Sequence, residues 1–206
     1  ERQRREGCSG QRVTWGAVFF DYDNDGDEDL YVASGFLEDD PTLDLKKQPN
    51  VLLRNDGDGS FTDVSEISGA DDPGFGRGTV YLDYNNDGCL DLYIANLGTS
   101  AVSAQHAKLF ENRCDWGNVW LVIRTVGTAS NRDGIGARIT VVAGEKTQIR
   151  EVSAGGSNKS QSMLPAHFGL GKAEMVDSVQ IRWPSGTVQT LRDVAVNQRI
   201  TIVEAP

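Results

Sequence analysis

Short apolar runs, broken by clusters of Asp, Asn, Gly and Ser, recur along the whole chain. In the first half the runs 17–20, 30–33, 51–53, 61–64, 79–82 and 92–95 are rich in β-branched and aromatic residues, which predicts strands. No stretch there keeps an i, i+3, i+4, i+7 apolar pattern for three turns, so helices are not expected. Asn55-Asp56-Gly57-Asp58-Gly59, lying between two of these runs, spells out a hairpin turn. From Asn118 the texture changes to longer strand-like runs at 119–126, 137–143, 148–153, 176–183, 188–191 and 199–204. Six short strands separated by Gly, Asn, Ser and Pro predict a β-sandwich or small barrel. The pattern as a whole predicts an all-β chain of two units, 1–117 and 118–206, with the boundary near 115–118.

The first unit repeats itself. The stretch from Trp15, W-G-A-V-F-F-D-Y-D-N-D-G-D-E-D-L-Y-V-A-S-G, returns 62 residues later as R-G-T-V-Y-L-D-Y-N-N-D-G-C-L-D-L-Y-I-A-N-L-G. Asp21 matches Asp83, Gly26 matches Gly88 and Asp29 matches Asp91. A fainter echo links Leu52-Leu53-Arg54-Asn55 with Leu109-Phe110-Glu111-Asn112. Internal repetition at such a period marks a repeat architecture.

Charge sharpens the division. Of the net −10, residues 1–118 carry 23 acids against 10 bases, whereas residues 119–206 carry 7 against 10. An acidic chain is a poor partner for nucleic acid or anionic membrane surfaces, and no apolar run is long enough to insert in a bilayer. Arg2, Arg4 and Arg5 are followed by no apolar run, so a leader peptide is expected to be absent or already removed. Cys8, Cys89 and Cys114 allow three pairings, and no C-x-x-C supports a zinc site.

The acids of the repeat have a spacing that suggests a ligand. Asp21, Asp23, Asp25, Asp27 and Asp29 surround Gly26, and Asp83, Asn85, Asp87, Cys89 and Asp91 surround Gly88. Calcium takes six to eight hard oxygens, so side chains at loop positions 1, 3, 5 and 9 can converge on one ion. The residue at position 7, Asp27 or Cys89, adds its carbonyl. Position 12 of each loop is Val32 or Ile94 rather than Glu, which excludes an EF-hand. Without a cation, so many carboxylates in one loop would repel one another. Two calcium sites are therefore expected.

With Phe75-Gly76-Arg77-Gly78 beside them, these loops resemble the FG-GAP/VCBS repeat, the calcium-binding blade of integrin-α-type β-propellers. The second unit resembles the ASPIC/UnbV domain of cartilage acidic protein-like proteins. The matching stretches there are Ser130-Asn131-Arg132-Asp133-Gly134-Ile135-Gly136-Ala137-Arg138, His167-Phe168-Gly169-Leu170-Gly171 and Arg182-Trp183-Pro184-Ser185-Gly186. The resemblance implies propeller-blade-like calcium-loop hairpins followed by a C-terminal sandwich, in an extracellular or cell-surface protein with adhesion or matrix roles. Two blades cannot close a propeller. The four repeat strands are apolar and hold no Pro or Lys to protect an edge, so closure is expected from upstream blades, from a rearranged barrel or, as the favoured expectation, from other copies in a closed oligomer or a filament.

Catalysis finds little support. His106 and His167 are the two histidines, and no H-E-x-x-H, P-loop, G-x-S-x-G or dinucleotide motif is present. His167 is expected to be a buried structural residue, Gly155, Gly156 and Gly169–Gly171 turn formers, and Asn131-Arg132-Asp133 a capped turn with an Arg–Asp pair. Asn158-Lys159-Ser160 is a glycosylation sequon. The leading expectation is a non-catalytic, calcium-stabilised adhesion or assembly protein whose partner is another copy or another extracellular protein. The alternative is a carbohydrate-binding module attached to or derived from a larger secreted enzyme, with Trp183 stacking on a glycan and Trp183 or Trp120 fluorescence reporting the binding.

Overall fold

The computed structural model describes residues 13–35, 48–98 and 105–206, so Cys8, the segment 1–12 and the acidic insert 38–44 lie outside the described residues. The chain is all-β, as the alternation predicted. β1 (Thr14–Phe20), β2 (Asp29–Ser34), β3 (Val51–Asn55) and β4 (Phe61–Asp63) form one antiparallel meander. β5 (Gly76–Leu82), β6 (Asp91–Asn96) and β7 (Lys108–Phe110) form a second. Within β1, Gly16, Val18 and Phe20 turn inward while Ala17 and Phe19 turn outward, the period of two that puts one face of a strand in a core.

These two blade-like sheets share one core. Val18, Phe20, Tyr31 and Leu52 of the first meet Leu90, Leu92 and Ile94 of the second, and Phe20 stacks on Tyr81 with ring centroids 6.2 Å apart. Each such side chain contributes about 1.5–3 kcal/mol by leaving water. Tyr31 is fully buried, and its hydroxyl donates to Ala70 O at 2.9 Å while accepting from Asn50 Nδ2 at 3.0 Å. A one-turn helix, α1 (Ser65–Ser68), follows β4 although no helix was expected in this half; Ser65 N and Oγ both bond the Asp63 carboxylate, which curls the chain.

The second unit is a two-layered sandwich. One sheet runs β10 (Lys146–Glu151), β9 (Arg138–Ala143), β12 (Met175–Arg182), β13 (Val188–Ala195), and the other runs β11 (Ala166–Gly171), β8 (Val119–Val126), β14 (Gln198–Val203). β14 pairs with β8 in parallel; the other pairs are antiparallel. Leu121, Ile123 and Phe168 of one layer pack with Ile139, Val179 and Ile181 of the other. β11 was not predicted, because Gly169 and Gly171 read as turn formers; they lie in the strand instead, across a register shift opposite β8. Gly155 and Gly156 do have positive φ, as turn formers should.

The two units meet along β5. Ser160 Oγ donates to Thr79 O, Tyr81 N donates to Ser162 Oγ and Met163 N donates to Tyr81 O, each at 3.2 Å. A strap from the second unit therefore satisfies the edge of β5. Lys159 enters the strap with φ of 49°.

Other turns differ from expectation in detail. Asn131 caps its turn, with Nδ2 donating to Ile135 O at 2.7 Å and Ile135 N donating to Asn131 Oδ1 at 2.8 Å. Arg132 and Asp133 are not among the ion pairs of the described residues. Trp183 is 2% exposed inside the sandwich core, which removes it as a stacking surface for a glycan.

Candidate metal centre

Both acidic loops build the same hydrogen-bonded frame. Asp21 accepts from Asp25 N at 3.1 Å and Gly26 N at 2.9 Å; Asp83 accepts from Asp87 N at 3.1 Å and Gly88 N at 3.0 Å. Asp25 and Asp87 each accept from the N–H two residues on, at 2.8 Å, the side-chain turn typical of Asp. Asp29 accepts from Tyr22 N and Asn55 N, and Asp91 from Tyr84 N and Asn112 N. Asn55 and Asn112 also bond a carbonyl at loop position 8, Glu28 O and Leu90 O. The faint Asn55–Asn112 echo in the sequence thus marks a strut under each loop. Asn24 and Asn86 at position 4 take φ of 59° and 63°, left-handed values that Asn tolerates.

In the first loop the carboxylates converge. Asp21, Asp23 and Asp29 are buried and each offers an oxygen within 4.8 Å of the others, the one such acidic group among the described residues. Asp23 Oδ1 has no hydrogen-bond partner. Burial pushes these carboxyls up, Asp21 to about 7, Asp23 to about 6 and Asp29 to about 8, with neighbouring aspartates adding repulsion. A site of hard, mutually repelling oxygens with one orphaned acceptor suits a divalent cation with oxygen preference. Asp25 is half-buried, and Asp27 sends its carboxylate to Lys146 Nζ at 3.3 Å.

The second loop is open. Residues 84–87 are exposed, Asp83 and Asp91 are buried, and burial raises the Asp91 carboxyl. A side-chain cation already stands there: Arg199 Nη1 lies 3.7 Å from Asp83 Oδ2 and also meets Asn86 Oδ1. Asn85 Nδ2 donates to Asp87 Oδ2 at 2.7 Å. Cys89 forms a disulfide with Cys114, so its thiol is spent and its carbonyl alone is available.

The loops are set against the second unit and against each other. Asn24 Nδ2 reaches Gly88 O at 3.2 Å and Cys114 Sγ at 3.4 Å. Asn118 Nδ2 donates to Asp23 O, Gly171 N to Asn24 O and Lys146 Nζ to Asp25 O. A Cβ on Gly169 would overlap the Asp21 carboxylate, and a Cβ on Gly88 would overlap the Trp120 indole, so both glycines permit close approach across the seam. His167, buried as expected, donates Nε2–H to Gly88 O at 3.0 Å, and burial lowers its pKa to about 4.

Glu204 is a structural residue the sequence did not single out. It accepts from the successive N–H groups of Thr128, Ala129 and Ser130 and from the hydroxyls of Ser130 and Ser185. Burial alone would raise its carboxyl, but these bonds outweigh it and hold the group at about 2. Only the Ser/Thr-rich segment opposite a lone acid near the end of the chain hinted at it.

Residues 127–206 match the family described as ASPIC and UnbV, and residues 21–94, which span both acidic loops, match the FG-GAP-like repeat. Cartilage acidic protein 1 of Homo sapiens is 30% identical over 187 residues, covering 89% of this chain and 27% of its own length. The Mus musculus protein of that name is 29% identical over the same shares, and that of Xenopus tropicalis 30% identical over 157 residues, 75% of this chain and 23% of its own. The chain spans about a quarter of the length of these curated relatives. No helix among the described residues is long and apolar enough to cross a membrane. The chain thus joins a segment similar to the FG-GAP-like repeat to one similar to the ASPIC and UnbV family.

Proposed function

We propose that this chain is a non-catalytic, extracellular module of matrix type in which calcium staples two blade-like sheets to the sandwich behind them. The observation that carries the reading is the buried group Asp21, Asp23 and Asp29, with an orphaned oxygen, at the seam. Asp21, Asp23, Asp25 and Asp29 with the Asp27 carbonyl would hold one ion. Asp83, Asn85, Asp87 and Asp91 with the Cys89 carbonyl would hold a second. Calcium supplies positive charge and a shared centre for the loop oxygens; the chain supplies the struts that aim them. The disulfide favours an oxidising compartment, and the name of the cartilage relatives agrees with a matrix setting.

Adhesion or self-association would use the outer face of the second blade, where Tyr93 and Leu109 stand paired and exposed. Calorimetric titration of the metal-stripped chain with calcium tests the core of the reading. Two binding events and a melting temperature that rises with calcium are expected; no binding and a melt indifferent to chelator would overturn it. Light scattering at tens of micromolar tests association, and a persistent monomer in calcium would remove that part.

A further inference from the structure

Eleven asparagines occur in the chain, and Asn158 alone is followed two positions on by Ser or Thr, in Asn158-Lys159-Ser160. The fold sets the same residue apart a second time. Each of the ten others spends its side-chain amide on a hydrogen bond. Asn24 and Asn118 hold the acidic loops in place, Asn55 and Asn112 strut them, and Asn131 closes its turn. The Asn158 amide bonds no described residue, although Asn in a turn commonly bonds the backbone near it. Neither of its polar atoms is among the buried ones that lack a partner, so the amide meets water.

The turn itself is anchored through other atoms. Ser157 and Ser160 pair across a two-residue corner, Asn158-Lys159, with Lys159 in the left-handed region. The backbone of the corner lies against β5, where a Cβ on Gly78 would stand 3.1 Å from Asn158 O. Ser160 turns the same way, its Oγ donating to Thr79 O at 3.2 Å. Lys159 is exposed, and so are residues 153–156 that lead into the turn. A bulky polar group on the Asn158 amide would therefore stand in water and break no hydrogen bond of the strap.

We propose that Asn158 is an N-glycosylation site, a modification that rests on the extracellular reading and adds to it. Its Nδ2 attacks the anomeric carbon of an oligosaccharide carried on a lipid pyrophosphate. A C–N bond forms, the C–O bond to the pyrophosphate breaks, Nδ2 gives up one proton and the lipid pyrophosphate leaves. The transferase also reads the hydroxyl of Ser160, which the finished fold commits to Thr79 O. The sugar is therefore added before the strap docks on β5.

Targeting of the full chain to the secretory pathway of a eukaryotic cell tests it, with one sequon added after Pro206 as an internal control. Peptide mapping after N-glycosidase treatment in heavy-oxygen water reads both sites, because release converts a glycosylated Asn to labelled Asp. Most chains modified at the added sequon should also be modified at Asn158. Asn158→Gln and Ser160→Ala should each abolish the label there, whereas Ser160→Thr should retain it. Asn158→Gln gives up no hydrogen bond, so it should melt with the deglycosylated parent. The folded, sugar-free chain, offered transferase and lipid-linked donor in vitro, should be modified at the added sequon and not at Asn158. Modification of Asn158 in that folded chain would overturn the order of events. Sugar at the added sequon with none at Asn158 in the cell-made chain overturns the proposal itself. A formed Cys89–Cys114 bond in those same chains would leave the extracellular reading standing.

Discussion

At Asp21 and at Asp83 the same two backbone N–H groups are held at nearly the same distances, and at Asp29 and Asp91 the same Tyr and Asn amides are held. Around that frame the surroundings diverge. The first loop is wedged under β11 with three carboxylates drawn together and no side-chain cation among them. The second lies open, trades one Asp for Asn85, keeps Arg199 beside Asp83 and is tied down by a disulfide. The local sequence sets the turn; what the turn costs without metal is set by the unit docked behind it. On the proposed reading the first loop would depend on an added cation, while the second has Arg199 standing beside Asp83.

The glycines at position 6 break this comparison most severely. Both need positive φ, 95° at Gly26 and 87° at Gly88. A Cβ at Gly88 would also overlap Trp120, whereas at Gly26 its nearest neighbours are Gln148 Nε2 at 3.1 Å and Gly169 O at 3.2 Å. Gly88→Ala should cost about 3–5 kcal/mol and Gly26→Ala about 1–3 kcal/mol by urea unfolding. Equal costs would show that the second loop is not pressed against the sandwich.

Next is the disulfide. Cys89 and Cys114 close a loop with a sequence separation of 25. The double variant Cys89→Ala, Cys114→Ala should lose about 3 kcal/mol. Amide exchange should speed up more around 83–91 than around 21–29, because the second loop has the covalent tie. Uniform loosening of both loops would mean that the contact of Asn24 with Cys114 couples them as one unit.

The first loop should reveal its carboxylates through pH. Unfolded Asp titrates near 4, while Asp21, Asp23 and Asp29 are raised to about 7, 6 and 8 in the fold. Between pH 4 and 8 the metal-free fold therefore holds more protons at these sites than the unfolded chain. Their contribution to stability falls as pH rises through that window. His167, lowered to about 4, acts in the opposite direction, losing stability as pH falls from 6.5. Asp23→Asn separates the two, since it gives the first loop the donor at position 3 that the second already has. The metal-free variant should be more stable than the parent at pH 8, with the gap closing toward pH 4, and its first calcium site should weaken about tenfold. A parent that gains stability from pH 5 to 8 without metal would contradict the raised values.

Much of this was readable beforehand. β8 spans the predicted run 119–126, and both acidic loops fall between the strands the alternation marked. What the residues could not convey was contact at long range. β11 was hidden because Gly169, read as a turn former, serves the close approach to Asp21 instead. Arg199, 116 residues after Asp83, has no local signal at all. The strap over β5 is made by serines and backbone in a segment that reads only as loop. A fluorescence or glycan role for Trp183 looked open until the sandwich core closed over it.

Arg199 gives a smaller and more diagnostic effect. It stands beside a carboxylate whose side chain is fully covered, so it competes with any ion that Asp83 would bind. Arg199→Gln should raise calcium affinity at the second loop by about threefold to fivefold and leave the first unchanged, by titration with each site read separately. A fall in affinity would show that Arg199 shapes the loop for the ion instead of occupying its place.

Lys146 is the corresponding cation at the first loop, and there the geometry predicts almost nothing. Its ammonium bonds Asp25 O at 2.8 Å and the Asp27 carboxylate at 3.3 Å, outside the converging group. Both side chains are more than a third exposed, 52% and 38%, so water screens the pair. On the proposed reading Asp27 would offer the ion its carbonyl, not the carboxylate that Lys146 holds. Lys146→Ala should therefore cost about 0.2–1 kcal/mol, shrink further in high salt and leave calcium affinity at the first loop within about twofold. If affinity instead rose as far as it does for Arg199→Gln, the two cations would be equivalent, and the contrast between a loop that needs a metal and a loop that carries its own substitute would fail.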